Sequence, residues 1–186
     1  MSRRVVVTGI GVISPVGIGK DNFWNSLMAG KSGIGPITHF DPAEYSTRIA
    51  GQVNDFVPEN FLDKKEAKRM DRNTQFSIAA SKLAIEDSGI DLEKIDKRRA
   101  GVIVATGIGG VSTMHDQYET LFAKGPNRIS PFFVPMMIAN MAAGQTSIQF
   151  GFQGPCLCVV TACTGGTNAI GEATRKIQHG DADMML

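Results

Sequence analysis

The sequence is poor in cysteine, in histidine and in charge of one sign. Its 186 residues hold three cysteines and three histidines, and the formal net charge is +1. Three cysteines, two of them in Cys156-x-Cys158, do not suggest a disulfide scaffold and fit a reducing compartment. A nearly neutral chain gives no electrostatic reason to expect nucleic acid. No apolar run approaches the roughly 20 residues of a membrane span. Arg3 and Arg4 precede an apolar stretch, as in a signal peptide. Gly9, Gly11, Pro15 and Gly17 interrupt that stretch and suit a strand and turns, so the expected location is the cytoplasm. Repeats, low-complexity tracts and internal linkers are absent. With 42% hydrophobic and 20% charged residues the chain has ordinary globular composition. One domain over residues 1–186 can bury about 70% of its unfolded surface.

The histidines are poorly placed for catalysis. His39 lies in a loop, His115 stands beside Asp116 on a helix, and His179 precedes Gly180 at a helix end. An imidazolium there favours the last carbonyls. None reads as the partner of a nucleophile.

What the chain does have is an alternation of strand and helix patterns. Residues 5–8 read as a strand. Asp21 is the expected cap of a helix with Phe23, Trp24, Leu27 and Met28 on its apolar face, stopped by Gly30. Residues 47–53 form a candidate strand. A long helix follows Asp71, with Phe76, Ala79, Ala80, Leu83 and Ala84 on one face, and stops near Gly89. Residues 101–105 read as a buried strand. Val111, Met114, Tyr118 and Leu121 stripe the next helix, and Pro135 suits the first turn of another, carrying Met137, Ile138 and Met141. Strands alternating with helices predict an α/β layered domain with a mostly parallel sheet.

Cys163 stands at the most informative junction. The apolar stretch Cys156-Leu157-Cys158-Val159-Val160 precedes it, and Ala169, Ile170, Ala173 and Ile177 recur at helical spacing after it. A thiol between strand and helix meets the free N–H groups and positive end of that helix, which favour a thiolate. A small buried core cysteine is the other reading of such a position. Gly9-x-Gly11 and Gly107-x-Gly109-Gly110 do not complete a dinucleotide fingerprint, because Ser14 and Ser112 hold the third glycine position. They read as tight turns that allow close backbone approach. Cys156 and Cys158 share one face of a strand, but no further ligand joins them, so they read as packing. The methionines read mostly as core filler; Met136, Met137 and Met141 suit the lining of an apolar tunnel.

The motif Thr161-Ala162-Cys163-Thr164-Gly165-Gly166 resembles the nucleophile motif of the β-ketoacyl-[acyl carrier protein] synthases, condensing enzymes of the thiolase fold. The resemblance runs along the whole chain. It includes Arg4-Val5-Val6-Val7-Thr8-Gly9-Ile10-Gly11, Lys68-Arg69-Met70-Asp71-Arg72, Thr106-Gly107-Ile108-Gly109-Gly110 and Ile129-Ser130-Pro131-Phe132-Phe133-Val134-Pro135. It is greatest to the synthase II type, the elongating enzyme of bacterial fatty acid synthesis. The expected fold is therefore α/β and thiolase-like: one half of a double layered structure, with a mixed, mostly parallel sheet covered by helices. Ala182-Asp183-Met184-Met185-Leu186 reads as a strand cut off partway, so the chain is expected to be the N-terminal half of that double fold, truncated before its C-terminal half.

The resemblance implies that Cys163 is the nucleophile that takes the acyl group from an acyl thioester. Malonyl-acyl carrier protein then loses carbon dioxide and extends the chain by two carbons, with no cofactor and no metal. The family's two catalytic histidines and a Gly-rich loop lie in a second half, so this chain alone is expected to be inactive. By the same resemblance Ile108 lines and gates the fatty acyl pocket, and Phe133 reaches toward the partner's pocket in a homodimer. Lys65, Lys68 and Arg69, with Arg128 nearby, match positions that dock the acidic acyl carrier protein. An unaided basic run reads as a solvated face. An inactive fragment, the structural half of a split enzyme and a thiolase-like acyltransferase are the alternatives.

Overall fold

The structure, a computed structural model, describes residues 3–186. In chain order the strands are β1 (Ile13–Ser14), β2 (Gly17–Ile18), β3 (Ile34–Pro36), β4 (Ile49–Gly51), β5 (Ala100–Ala105), β6 (Cys156–Val159) and β7 (Met184–Met185). The helices are α1 (Lys20–Met28), α2 (Lys64–Ala67), α3 (Arg72–Ser88), α4 (Val111–Lys124), α5 (Phe133–Met137), α6 (Met141–Phe150) and α7 (Gly165–His179). The main sheet is parallel with strand order β6-β5-β7. Val102 faces Cys156 across one ladder, and Ala100 faces Met184 across the other.

The buried run Ala100-Gly101-Val102-Ile103 makes β5 the central strand. Alternation along it supplies both faces. Ala100 and Val102 pack with Ala143 of α6 and with Phe152, whereas Ile103 borders the α7 side beside Ala169. α3 packs along α6, and its fully buried Ile78 packs with Leu62 and with Ala67 of α2. Its ends follow the sequence signals: the Asp71 side chain accepts from the Asn73 amide, and Gly89 closes the helix at φ +65°.

Four expectations need correction. Residues 5–8 form no strand. The segment lies against α3, where Gly9 and Gly11 let it approach the Ala84 and Ala80 carbonyls, and the Ile10 amide donates to Asp87 at 2.9 Å. That anchoring holds it off the edge of β7, across a cavity of about 230 Å³ lined by residues 5–9, Ala169 and Met184-Met185-Leu186. Without a partner strand within reach its amides form no ladder, and Val7 is 79% exposed. Asp21 is not a cap: Gly19 precedes α1 at φ +84°, and Asp21 sits inside the first turn. The α1 apolar face is largely uncovered, with Trp24 and Met28 exposed by 60% and 70%. On α4 the covered side centres on buried Thr113, while Val111 and Tyr118 are exposed and Tyr118 stacks on Phe122. Two shorter readings hold in part. The strand expected over residues 47–53 narrows to β4, paired antiparallel with β3, and the helix around Pro135 divides into α5 and α6.

The Gly11 contact makes a measurable demand. A Cβ there would overlap the Ala80 carbonyl oxygen, a backbone atom, so no rotamer relieves it. Gly11→Ala is expected to destabilise the protein by about 1–3 kcal/mol, as overpacking does. Gly107→Ala is the control, because nothing lies within 4 Å of its Cβ position. Equal urea midpoints for the two variants would mean that the segment does not rest on α3.

Candidate active site

The end of β6 and the start of α7 are joined by Val160, Thr161 and a single 3-10 turn, Ala162–Thr164. Cys163 is the middle residue of that turn and is exposed. The turn is tight: Ala162 has φ +48°, the one positive φ at a non-glycine among the described residues. Thr161 holds it from one side. Its carbonyl accepts from the Thr164 amide at 3.2 Å and hydroxyl at 2.8 Å, and its hydroxyl accepts from Asn168 Nδ2 at 3.0 Å. No side chain caps α7, and the Gly165 amide at its start donates to the Ala162 carbonyl across the turn.

A second loop reaches the same end of the sheet. The Thr106 amide donates to the Val159 carbonyl at 3.3 Å, so the loop leaving β5 starts beside the strand that leads to Cys163. Gly165, the first residue of α7, sits against the Ala105 side chain. Both loops therefore stand at the carboxyl ends of parallel strands, where open α/β sheets bind ligands. Ile108 occupies the tip of the second loop and is 67% exposed. Gly109, at φ +96°, and Gly110 bring this loop onto the C-terminal carbonyls of α5, with the Gly110 amide donating to Met137 at 2.9 Å. A Cβ at Gly109 would lie 2.6 Å from the Met137 carbonyl oxygen, and one at Gly110 would overlap the Met136 carbonyl oxygen. Phe133, half-buried, is the first residue of that helix.

Cys156 is exposed like Cys163 and Cys158 is half-buried, yet desolvation by their surroundings pushes both thiols up from their ordinary value. Cys158 Sγ also donates to the Ala139 carbonyl at 3.4 Å. The histidines lie elsewhere. His115 pairs with Glu119 at 3.3 Å on the solvent side of α4, and His179 ends α7. At 1.5 Å per residue His179 is roughly 20 Å from the start of that helix. His115, Asp116 and Glu119 bring one ligand atom each within 4.8 Å of one another, all exposed on one helix.

Lys65, Lys68, Arg69 and Arg128 are all exposed, and among the described residues none pairs with a carboxylate. Asp63 caps α2 by accepting from the Lys65 amide at 2.8 Å. Gln75 Nε2 donates to the Ala67 and Met70 carbonyls and so fixes the end of the basic segment on α3. The Arg69 guanidinium lies 4.8 Å over the Phe132 ring, next to Phe133 and four residues beyond Arg128. In the sequence Asp71 marks only the start of a helix. In the structure it also reaches α4, and no local signal marks that longer role.

With this geometry in view, the likeness to known proteins has a structural meaning. The family model for the β-ketoacyl synthase N-terminal domain matches residues 2–186. A 3-oxoacyl-[acyl-carrier-protein] synthase 2 of Synechocystis is 50% identical over 99% of this chain and 44% of its own length. Its counterpart from Coxiella burnetii is 45% identical over the same shares. The chain thus spans less than half the length of these curated relatives. Among solved structures, the ishigamide ketosynthase/chain length factor superposes with a TM-score of 0.91 at 29% identity, over 98% of this chain and 46% of that one. A type II ketosynthase solved with its acyl-carrier protein and a hexaketide has the same fold, with a TM-score of 0.84 at 24% identity over 97% of this chain and 48% of that one. These are thiolase-fold ketosynthases, and on sequence and fold together the chain belongs to the β-ketoacyl synthase family, whose N-terminal domain it matches along its length.

Proposed function

We propose that this chain forms the N-terminal half of a cytoplasmic β-ketoacyl-[acyl carrier protein] synthase of the elongating, synthase II type. The carrying observation is the exposed Cys163 thiol, held in a tight turn directly before α7, whose first-turn amides no side chain caps. In the proposed reaction the Cys163 thiolate attacks the carbonyl of an acyl thioester. A carbon–sulfur bond forms to Cys163, the bond from the acyl carbon to the carrier sulfur breaks, and the carrier thiolate takes up the proton that Cys163 released. Amides of the turn, including that of Cys163, receive the transient oxyanion. The malonyl thioester then loses carbon dioxide, and the electron pair left on its α-carbon attacks the acyl group on Cys163. The new carbon–carbon bond expels the Cys163 thiolate and gives a β-ketoacyl thioester two carbons longer. Loss of carbon dioxide drives this step without a cofactor or metal. Since His179 lies at the far end of α7 and His115 is paired with Glu119, the groups that assist decarboxylation are assigned to the C-terminal portion that the longer relatives carry.

Ile108 shares the carboxyl edge of the sheet with Cys163 and is proposed to set the depth of the acyl pocket. Phe133, on the helix that the Ile108 loop touches, is proposed to contribute to a partner's pocket. The partner is a second copy of the chain, joined along β6, an edge strand with exposed Leu157 followed by exposed Val160. The acyl carrier protein is proposed to dock on Lys65, Lys68, Arg69 and Arg128, which are exposed and, among the described residues, free of carboxylate partners.

Thiol labelling tests the nucleophile. After circular dichroism establishes that the protein is folded, brief treatment with an alkylating thioester mimic and peptide mapping are expected to find Cys163 modified before Cys156 and Cys158. The latter two thiols are raised by burial, and the thiolate is the reactive form. Equal labelling of all three would remove Cys163 from the proposed role.

A further inference from the structure

Asp71 is a buried carboxylate, 6% exposed, that the proposed chemistry does not use. Each of its oxygens ends on a different helix. One accepts from the Asn73 amide at 3.1 Å and caps α3. The other crosses 42 residues of sequence to accept from the Thr113 amide at 3.0 Å and the Thr113 hydroxyl at 2.7 Å, inside the first turn of α4. α4 has no cap of its own: Gly110 holds the cap position without a side chain, and its missing Cβ leaves the space in which the Asp71 carboxylate lies. Asp71 thus replaces a local cap with a tertiary one.

The place of that cap matters because α4 begins directly after the Ile108 loop. The loop has one anchor at Thr106, bonded to Val159, and an internal bond from the Gly109 amide to Thr106 Oγ1 at 3.1 Å. Its other anchor is the Gly110–Thr113 turn, bonded to Met137 and to Asp71. Ile108 itself is mostly exposed, so its position is set chiefly by the two anchors. Asp71 also follows Arg69 by two residues, which places the second anchor next to the basic segment on α2.

We propose that Asp71 is a positioning residue: its carboxylate ties the N-termini of α3 and α4 together and thereby fixes where Ile108 stands relative to Cys163. The consequence for function rests on the reading of Ile108 as the residue that sets acyl-pocket depth. Asp71 touches no reacting atom. Its removal leaves the Cys163 chemistry intact and blurs the discrimination between long and short acyl groups.

The test uses the chain joined to the C-terminal portion of the relatives, with two readouts. Asp71→Asn keeps the volume but offers one acceptor oxygen for two helices. Hydrogen exchange of the peptide spanning residues 106–114 is expected to quicken about tenfold or more, as loss of a hydrogen bond to a charged group allows, while β5 exchanges as before. The ratio of turnover with long primers to turnover with acetyl primers is expected to shift severalfold, with acetyl turnover nearly unchanged. Thr113→Ser, which keeps the hydroxyl and the amide, restores the wild-type profile on both readouts. Thr113→Val, losing the hydroxyl bond alone, falls between, and it decides the matter if Asp71→Asn does not fold. Unchanged exchange over residues 106–114 overturns the proposal, as does an equal loss across all primers. Ile108→Phe separates the two layers. If it leaves the primer profile untouched, the reading of Ile108 fails, and the exchange result alone then decides whether Asp71 fixes the loop.

Discussion

Cys163→Ala is expected to abolish transfer of an acyl group from its carrier to a malonyl unit, in the chain joined to the C-terminal portion that its relatives possess. The expected loss is on the order of a thousandfold or more, because no other group can take over a covalent step when its nucleophile is gone. Cys156 and Cys158 are poor substitutes. They lie on β6, before the turn, with thiols raised by burial, and Cys158 is engaged with the Ala139 carbonyl. The substitution costs little in stability, since Cys163 is exposed and its thiol packs no core. The measurement is β-ketoacyl product formed per enzyme, together with the mass of the protein after exposure to acyl-carrier protein. The wild type gains one acyl group on the peptide containing Cys163, and the variant gains none. An acylated variant, or product formation within tenfold of wild type, would place the nucleophile elsewhere. The unextended chain is expected to give no product in either form, because the groups that assist decarboxylation are assigned to the C-terminal portion of the longer relatives.

The second large effect concerns the basic segment. Reversing Lys65, Lys68 and Arg69 to glutamate replaces three positive charges with three negative ones at exposed side chains that, among the described residues, form no ion pair. The Michaelis constant for an acyl-carrier protein is expected to rise by about tenfold or more at low salt, since steering by such a patch acts on encounter. A small soluble thioester is expected to react at nearly the wild-type rate. The difference shrinks as salt rises, because exposed charges are screened beyond about 8 Å at physiological ionic strength. Arg69 requires its own control. Its guanidinium stacks on Phe132, a contact worth about 0.5–1 kcal/mol at an exposed site. The Lys65 and Lys68 pair therefore carries the cleaner electrostatic reading. Equal losses with carrier-bound and small thioesters would make the segment structural and remove the docking assignment.

The sequence by itself determined those features that depend on neighbours a few residues away. Asp71 and Gly89 bound α3 where an N-cap and a left-handed C-terminal glycine belong. The apolar run at β5 is the buried central strand, and the passage from β6 through Cys163 into α7 lies where the change from strand to helical pattern puts it. The family was legible for a related reason: its motifs are short and contiguous, so they survive without the fold being known. Tertiary structure decided the rest. Residues 5–8 have strand composition, but pairing needs an edge within reach, and the anchoring of Gly9, Ile10 and Gly11 on α3 keeps them from β7. The apolar stripe of α1 exists in the sequence, yet exposure of Trp24 and Met28 depends on what packs against it. The bond from Asp71 to Thr113 and the stack of Arg69 on Phe132 join segments 42 and 63 residues apart. Capping and periodicity are local and can be read along the chain, whereas pairing, burial and long-range hydrogen bonds exist only once distant segments are brought together.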